Sequence, residues 1–289
     1  MNSKVIILGT AQLMSGYGKT NFSSLSLEEI DKIFKYSFSK GIHALDTAPD
    51  YGDSEKIIGD LNAEHSITTK IPILRNNLIS YVDWIDISIQ TSLLNTKRKK
   101  ITNLLFHSTE DMIKHFSNDV EQKLNDLRSS GLIENIGFSV YDADELSCAM
   151  NLFQPNLVQF PLNPFDQRFL EENLLIDLAR QGISSYARSI FLQGILISDT
   201  SKNKNYFRQW HKELEEWKDF CSDLGLLPYE ACIKFIKGID NLTGFTFGVG
   251  SFKELKEIIN AYHHKGVIQY ECPLSSKLDL IDPRKWPQS

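Results

Sequence analysis

Short apolar segments alternate with amphipathic segments along the whole of the 289-residue chain. Apolar segments of this length, bounded by polar and glycine-containing turns, are typical of strands that are buried on both faces of a parallel sheet. Eight strands are predicted in this way. They cover residues 5–8, 43–47, 67–71, 101–106, 133–139, 157–160, 183–187 and 243–249.

The segments between the strands have apolar residues at helical spacing. In the first of them, Leu27, Ile30 and Phe34 fall on one face of the predicted helix. Ser26 and Glu29 match the pattern of a capping box at its start. Further helices are predicted for residues 54–61, 82–94, 120–130, 142–151, 171–181 and 251–262, and two more for residues 198–238.

Eight strand–helix units in succession predict an α/β fold of the (β/α)8 TIM-barrel type. The extra helices within residues 198–238 lie between strands seven and eight, and a C-terminal tail begins at Gly266. We find no linker and no shift in composition, so a single barrel domain over residues 1–289 is predicted. The tail is not part of the repeat and could fold back over either end of the barrel.

The composition restricts the classes of partner. Hydrophobic residues make up 42% of the chain, charged residues 24%, and the net charge is −6, which gives no reason to expect nucleic-acid or membrane binding. No apolar run approaches the length of a membrane span, and the first residues do not resemble a signal peptide. The four cysteines have no CxxC spacing and are interpreted as reduced thiols. A cytoplasmic protein is predicted, and its oligomeric state is left open.

Four polar residues follow consecutive strands near their carboxyl ends: Asp46, Tyr51, Lys70 and His107. Because the carboxyl ends of barrel strands face the same side, we expect these four side chains to meet in one pocket. Taken singly, Asp46 and Lys70 could form a structural ion pair, and a histidine on an apolar strand is often part of the core. Their occurrence as a set on neighbouring strands favours a functional site.

The chemistry that such a set permits is narrow. A tyrosine normally keeps its proton far above neutral pH, and a nearby ammonium such as that of Lys70 lowers the pKa of the phenol. Asp46 would supply the counter-ion that a buried lysine needs. His107 can form a hydrogen bond with a carbonyl oxygen and orient it. The set therefore predicts a proton donor, Tyr51, for the oxyanion that develops when a hydride attacks a carbonyl carbon, a reaction that needs no metal.

Several motifs resemble, in order and spacing, those of the aldo-keto reductase family. They are LGTAQ, ALDTAPDYGDSEKIIG, TTK, LLFHS and GLIENIGFSVYDADEL. The resemblance implies a (β/α)8 barrel that reduces aldehydes or ketones with a nicotinamide coenzyme, usually NADPH. It also implies that Asp46, Tyr51, Lys70 and His107 are the catalytic tetrad. In that reading Tyr51 is the general acid, Lys70 lowers its pKa, Asp46 pairs with Lys70, and His107 orients the substrate.

The same resemblance implies where the coenzyme binds. Ser139 and Gln159, at the ends of strands five and six, match positions that bind the nicotinamide carboxamide. Arg188 stands where family members usually have an aromatic ring that stacks on the nicotinamide, and a planar guanidinium can also stack.

The segment after strand eight resembles the family's binding site for the adenosine phosphate. Gly250 permits close approach of the backbone, and Ser251 and Glu254 match a capping box at a helix N-terminus, which favours an anion. Lys253 and Lys256 would face a 2′-phosphate. NADP(H) is therefore predicted as the coenzyme. The family often has arginine at the position of Lys256, and because a lysine lacks the bidentate fork of arginine, NAD(H) stays open as the alternative.

Three functions remain open at this point. The first is an NAD(P)H-dependent reductase of a small carbonyl compound, or the reverse alcohol dehydrogenase. The second is a nicotinamide-coenzyme-binding sensor or regulatory subunit with little turnover. A Schiff-base aldolase using Lys70 is disfavoured, because Asp46 would keep that lysine protonated. The segment RSIFLQG resembles a subgroup associated with sugar enzymes, which favours a sugar-like substrate. Loop position and bulk make Met14, Tyr17, Trp84 and Phe191 candidate substrate contacts.

Overall fold

Eight parallel strands close into a barrel, in the order in which they occur along the chain. This computed structural model describes residues 4–13, 25–75, 78–198, 205–268 and 272–287. The strands are β1 (Val5–Gly9), β2 (Ala44–Asp46), β3 (Ser66–Ile71), β4 (Ile101–Phe106), β5 (Ile133–Ser139), β6 (Leu157–Pro161), β7 (Ser184–Arg188) and β8 (Gly244–Gly248). Pairs such as Ile6 with Phe245 close β8 onto β1. The predicted (β/α)8 barrel is therefore confirmed.

Helices follow the strands around the barrel. They are α1 (Leu27–Ser39), α2 (Ser54–Asp60), α3 (Tyr81–Thr96), α4 (Thr109–His115), α5 (Asn118–Ser129), α6 (Ala143–Met150), α7 (Leu174–Arg180), α8 (His211–Asp223), α9 (Pro228–Gly238), α10 (Phe252–His263) and α11 (Leu278–Ile281). The two helices predicted between strands seven and eight are present as α8 and α9. Among the described residues, no helix is both long enough and apolar enough to span a membrane.

Two helical boundaries differ from the prediction. The sequence pattern did not predict α4, which begins after Ser108, whose hydroxyl accepts a hydrogen bond from the backbone N–H of Asp111 (3.2 Å). The helix predicted for residues 171–181 begins instead as a 3₁₀ segment, Arg168–Asn173. Asn173 adopts a left-handed φ of 60° and separates this segment from α7. An amphipathic pattern does not reveal such a break, because apolar spacing continues across it.

The C-terminal tail lies over the carboxyl-terminal side of the barrel. The backbone N–H of Ser275 donates to the carbonyl of Phe165, just after β6 (3.0 Å). The Arg284 guanidinium lies 3.6 Å from the carboxylate of Asp142, just after β5. Trp286 is buried and packs edge-on against Phe207, with ring centroids 4.9 Å apart. Of the two ends that the sequence left open, the structure therefore selects the end where the four predicted site residues are.

A buried histidine lies at the opposite, amino-terminal end. His65 precedes β3, is 2% exposed, and its Nε2 lies 3.0 Å from the hydroxyl of Ser37. The rings of Phe34 and Phe38 pack edge-on against the imidazole. Its Nδ1 is buried and has no hydrogen-bond partner in the part of the chain that the structure describes. Burial lowers the pKa of His65 to about 4, with smaller contributions from neighbouring positive groups. The imidazole is therefore neutral in the folded protein at pH 7.

This histidine should make stability depend on pH. An unfolded histidine has a pKa near 6.5, so below that pH the unfolded state binds a proton that the folded state rejects until about pH 4. Linkage then lowers the free energy of unfolding by about 2 kcal/mol between pH 7 and pH 5. We expect urea unfolding to show a His65→Gln variant losing correspondingly less stability than the original protein over that interval. Parallel losses in the two proteins would contradict the assignment.

Candidate active site

The structure brings Asp46, Tyr51, Lys70 and His107 together at the carboxyl-terminal side of the barrel. Asp46 is the last residue of β2, Lys70 lies near the end of β3, and His107 follows β4 directly. Tyr51 occupies the turn between β2 and α2, which is held by a hydrogen bond from its backbone N–H to the carbonyl of Ala48 (3.0 Å). Parallel strands side by side therefore place the four side chains where the strand ends predict them.

Asp46 and Lys70 form a buried ion pair. The Lys70 Nζ lies 2.6 Å from Asp46 Oδ1, and the two side chains are 1% and 5% exposed, respectively. Lys70 also donates to the backbone carbonyl of Thr47 (2.9 Å). The amide of Gln159 donates to the second carboxylate oxygen of Asp46 (2.7 Å). A buried pair tolerates its desolvation when further hydrogen bonds satisfy both ions, and this pair meets that condition.

The Tyr51 ring lies close to both the ammonium and the imidazole. Lys70 Nζ is 4.9 Å from the centroid of the Tyr51 ring, which is a cation–π distance. The His107 ring meets the Tyr51 ring edge-on, at 5.9 Å between centroids and an interplanar angle of 90°. A phenol, an ammonium and an imidazole thus share one site, and the ammonium is already neutralised by Asp46.

His107 has a carboxylate neighbour that the sequence reasoning overlooked. Asp50 Oδ2 lies 3.2 Å from His107 Nδ1, although the alignment is poor and Nδ1 makes no well-formed hydrogen bond. This contact with His107 holds the pKa of the Asp50 carboxyl below its ordinary value. Burial lowers the pKa of His107, an effect that Asp50 opposes and that the charge of Lys70 reinforces. The imidazole is therefore neutral at pH 7. The sequence feature that could have indicated this contact is the position of Asp50 immediately before Tyr51.

A cavity opens beside these four residues, although Lys70 and His107 are not among those that line it. Its wall includes Asp46, Tyr51, Gln159 and Arg188, together with three loop or strand-end segments. These segments contribute Gly9, Ala11, Gln12, Ser189, Ile190, Phe191, Gln193, Gly194, Thr246, Phe247 and Gly248.

On this cavity wall, three buried polar atoms have no hydrogen-bond partner among the described residues: Gln12 Oε1, Arg188 Nε and Thr246 Oγ1. Buried polar atoms are nearly always paired, so their grouping around one cavity indicates a place for a polar ligand. Gly248 completes the wall. A Cβ at that position would lie 2.0 Å from Gln12 Oε1, so any side chain would displace the glutamine. Sequence reasoning noted the motif that contains Gln12 but assigned this residue no role.

Ser139 and Gln159 are partners in the sheet register between β5 and β6, and both are buried. Gln159 lines the cavity, while Ser139 lies beside it in the sheet. Of the residues predicted as substrate contacts, Phe191 lines the cavity. The Trp84 indole instead donates to the carbonyl of Pro72 (2.8 Å). Met14 and Tyr17 lie outside the described residues.

Arg188, the last residue of β7, lines the cavity and stacks on an aromatic ring of the protein itself. Its guanidinium lies 4.1 Å from the centroid of Tyr141 and donates to the carbonyl of Val140 (3.1 Å). The guanidinium of Arg284, from the tail, lies 4.0 Å from the centroid of the same ring. Sequence reasoning predicted that Arg188 could stack but did not identify Tyr141 or Arg284 as its neighbours.

The N-terminus of α10 has the predicted Ser251 cap, but the second bond of the predicted capping box goes to Gly250 instead of Ser251. The Ser251 hydroxyl accepts a hydrogen bond from the N–H of Glu254 (3.1 Å), and the Glu254 carboxylate accepts one from the N–H of Gly250 (2.7 Å). Lys253 is largely exposed and lies 3.6 Å from Glu257. Lysines at this helix start are thus surface groups close to acidic ones.

Glu29 also reaches this helix start, which corrects one detail of the prediction. The Ser26 hydroxyl caps α1 by accepting a hydrogen bond from the N–H of Glu29 (3.2 Å), as a capping box requires. The Glu29 carboxylate, however, accepts from the N–H of Phe252 in the first turn of α10 (3.1 Å). Lys256 lies over the Phe252 ring, at 5.1 Å from its centroid. The Glu29 carboxylate therefore already accepts the hydrogen bond of a backbone amide at the helix start where a coenzyme phosphate was predicted.

Comparison with known structures supports this architecture. An aldo-keto reductase from Bacillus halodurans, solved in its holo form, is similar with a TM-score of 0.72 at 16% identity, over 91% of this chain and 88% of that chain. A putative aldo-keto reductase from Pseudomonas aeruginosa is similar with a TM-score of 0.65 at 16% identity, over 89% of each chain. At such identities the similarity concerns the fold alone.

Sequence comparison identifies the family. D-arabinose 1-dehydrogenase of Saccharomyces cerevisiae is 30% identical over 151 residues, which are 48% of this chain and 43% of the yeast protein. This chain thus matches less than half the length of that relative. The sequence model described as the aldo/keto reductase family matches residues 5–271, nearly the whole chain. This chain therefore belongs to the aldo-keto reductase family, whose members are oxidoreductases that act on small carbonyl compounds with nicotinamide coenzymes.

Proposed function

We propose that this chain reduces an aldehyde or ketone to an alcohol, or catalyses the reverse oxidation, with Tyr51 as the proton donor and acceptor. The observation that carries the proposal is the position of the Lys70 ammonium, 2.6 Å from Asp46 and 4.9 Å from the centroid of the Tyr51 ring, because Asp46 and Tyr51 both line the cavity. An ammonium so placed stabilises negative charge on the phenol oxygen as the proton leaves.

The cavity fits a nicotinamide coenzyme. Gln12, Arg188 and Thr246 offer to a polar ligand buried polar atoms that have no partner among the described residues. We propose that these residues, with Ser139 and Gln159, hold the nicotinamide end. When bound, the coenzyme supplies the hydride for reduction or accepts it in oxidation.

The residues of the chain then have distinct roles in the proposed reduction. Tyr51 donates its hydroxyl proton to the carbonyl oxygen, which gains negative charge as hydride reaches the carbon. Lys70 stabilises the phenolate that is left, and Asp46 keeps the charge of Lys70 compensated. The neutral imidazole of His107, next to the Tyr51 ring, can hydrogen-bond the substrate oxygen and orient it. In oxidation the same proton moves back to Tyr51.

A coenzyme-binding subunit with little turnover is the alternative, and it would use the same cavity. Titration of the intact chain with NADPH and NADH, followed by a screen of simple aldehydes for loss of the reduced coenzyme's absorbance, separates the two. The proposal expects saturable binding and coenzyme consumption with at least one aldehyde. Binding without consumption by any aldehyde or sugar would favour the subunit, and absence of binding would refute both.

A sugar-like substrate is proposed for this site. The similarity to a protein named D-arabinose 1-dehydrogenase supports that class, although the match covers only part of each chain. The cavity wall adds a polar group suited to hydroxyls, the Gln193 amide, which has no part in the proposed coenzyme site. Aldoses and simple alcohols of the same size, each tested as the hydride donor with oxidised coenzyme, would test this choice.

The coenzyme preference should depend on Glu29. Lys253 and Lys256 favoured NADP(H), but the Glu29 carboxylate on the Phe252 amide would repel a 2′-phosphate at the start of α10. We expect Glu29→Gln to strengthen NADPH binding by about tenfold, or ~1.4 kcal/mol, and to leave NADH binding unchanged. Glu28→Gln is the matched control, because it removes the same charge from an exposed position of the same helical turn. Equal effects of both variants on NADPH would contradict a local role of Glu29.

A further inference from the structure

Arg188 differs from the other cations near the cavity because its contacts are all neutral. Its guanidinium touches the Tyr141 ring, the carbonyl of Val140 and, at 3.5 Å, the hydroxyl of Ser189. Among the residues that the structure describes, it forms no ion pair with a carboxylate. Lys70, in contrast, is paired with Asp46 at 2.6 Å. The charge of Arg188 is thus not balanced by a direct partner.

The positive charge of Arg284, the other cation on the Tyr141 ring, is balanced by carboxylates. Arg284 lies on the same Tyr141 ring, but its guanidinium is 2.7 Å from Asp282, 3.6 Å from Asp142 and close to Glu145. The tail therefore contributes a second guanidinium to the Tyr141 ring without contributing an unbalanced charge. Tyr141 holds the cationic side chain of Arg188 at the cavity wall, where its Nε is buried and unpaired.

Arg188 and Tyr51 line the same cavity. A carbonyl that receives a proton from Tyr51 must receive its hydride from a nicotinamide within bonding reach, so the ring must enter this cavity. The ring is neutral in the reduced coenzyme and carries a positive charge in the oxidised one, while the remainder of the coenzyme is the same. A fixed cation at the cavity wall therefore repels the positively charged oxidised ring and has little effect on the neutral reduced ring.

We propose that Arg188 makes this site discriminate between the redox forms of its coenzyme, so that the reduced form binds in preference to the oxidised form. The inference rests on the proposed function. Linkage gives it a consequence for the reaction. On the protein, the equilibrium is displaced towards carbonyl and reduced coenzyme: hydride leaves the alcohol carbon for the nicotinamide, and the hydroxyl proton goes to Tyr51. The bound coenzyme is a stronger hydride acceptor than the free one.

The test is a set of binding titrations on the intact chain, read by calorimetry, with NADH, NAD⁺, NADPH and NADP⁺. The measured quantity is the ratio of the dissociation constants of the oxidised and reduced forms. Arg188→Gln should lower this ratio by about tenfold, as removal of a unit charge near the ring predicts. Arg188→Lys, which keeps the charge, should keep the ratio close to that of the original protein. Arg180→Gln, at an exposed site on α7, is the net-charge control and should leave the ratio unchanged.

Each other outcome overturns the inference. An unchanged ratio in Arg188→Gln means that the guanidinium does not act on the ring. Equal weakening of both redox forms means that it contacts the phosphates or another shared part of the coenzyme. If Arg188→Gln does not fold, judged by its thermal unfolding, an Arg188→Lys ratio well below that of the original protein also refutes the charge effect. Failure of the original protein to bind any of the four coenzymes refutes the proposed function instead.

Discussion

Replacement of Tyr51 by phenylalanine is expected to lower kcat by roughly 10²- to 10⁴-fold, the usual contribution of a positioned proton donor. The variant keeps the ring that contacts Lys70 and His107, so the buried ion pair beneath it should stay in place. Only the hydroxyl proton is lost. The measurement is the steady-state oxidation of NADPH or NADH with reactive aldehydes, together with the dissociation constant of the coenzyme, which should not change.

The control for this variant is Tyr229→Phe. Tyr229 lies on α9, away from the cavity-lining residues, so the loss of its hydroxyl should leave kcat unaltered. Undiminished turnover in Tyr51→Phe would remove Tyr51 from the reaction, whatever the family of the chain. A large loss of coenzyme affinity would show that the hydroxyl serves binding rather than proton transfer.

Lys70→Met should damage both stability and turnover. The substitution leaves the Asp46 carboxylate 5% exposed without its cation, and breaking one side of a buried pair costs about 3–5 kcal/mol. The ammonium that stabilises charge on the phenol also disappears, so kcat should fall with little change in coenzyme binding. Urea unfolding gives the first effect and aldehyde turnover gives the second.

A double variant separates these two losses. Adding Asp46→Asn to Lys70→Met removes the uncompensated charge and keeps an oxygen that can accept the hydrogen bond from Gln159. Much of the lost stability should return, while turnover should not. If Lys70→Met alone costs less than about 1 kcal/mol, the pair is not the buried ion pair that the structure describes.

The barrel and the meeting of its polar residues were predictable because both follow from repetition. Apolar segments at regular spacing fix eight parallel strands, and their shared direction places every strand end on one side. Asp46, Lys70 and His107 could thus be brought together without any knowledge of distances. The Ser251 cap of α10 was predictable for a related reason, since Ser251 and Glu254 interact within one helical turn.

Contacts between distant segments were not predictable. The Glu29 side chain bonds to Phe252, far away in sequence, although its local pattern indicated a bond within its own helix. A short-range motif shows that a carboxylate is available but not which amide it selects. Stacking of Arg188, Tyr141 and Arg284 joins three loop or strand-end positions that share no periodic pattern. Nor does α4, a short helix whose cap is its main local signal, stand out against the longer α5.

The path of the tail determines how this protein should be attached to a surface. The C-terminal tail lies on the same side of the barrel as the cavity, through the contacts of Ser275 with Phe165 and of Arg284 with Asp142. At the opposite pole, Lys4 is anchored to the carbonyls of Ile239 and Leu242, below the start of β1. A sensor chip or bead that captures the amino terminus would therefore leave the opening turned to the flowing solution. Capture through the carboxyl terminus would turn the cavity side of the barrel towards the matrix and slow the arrival of ligands.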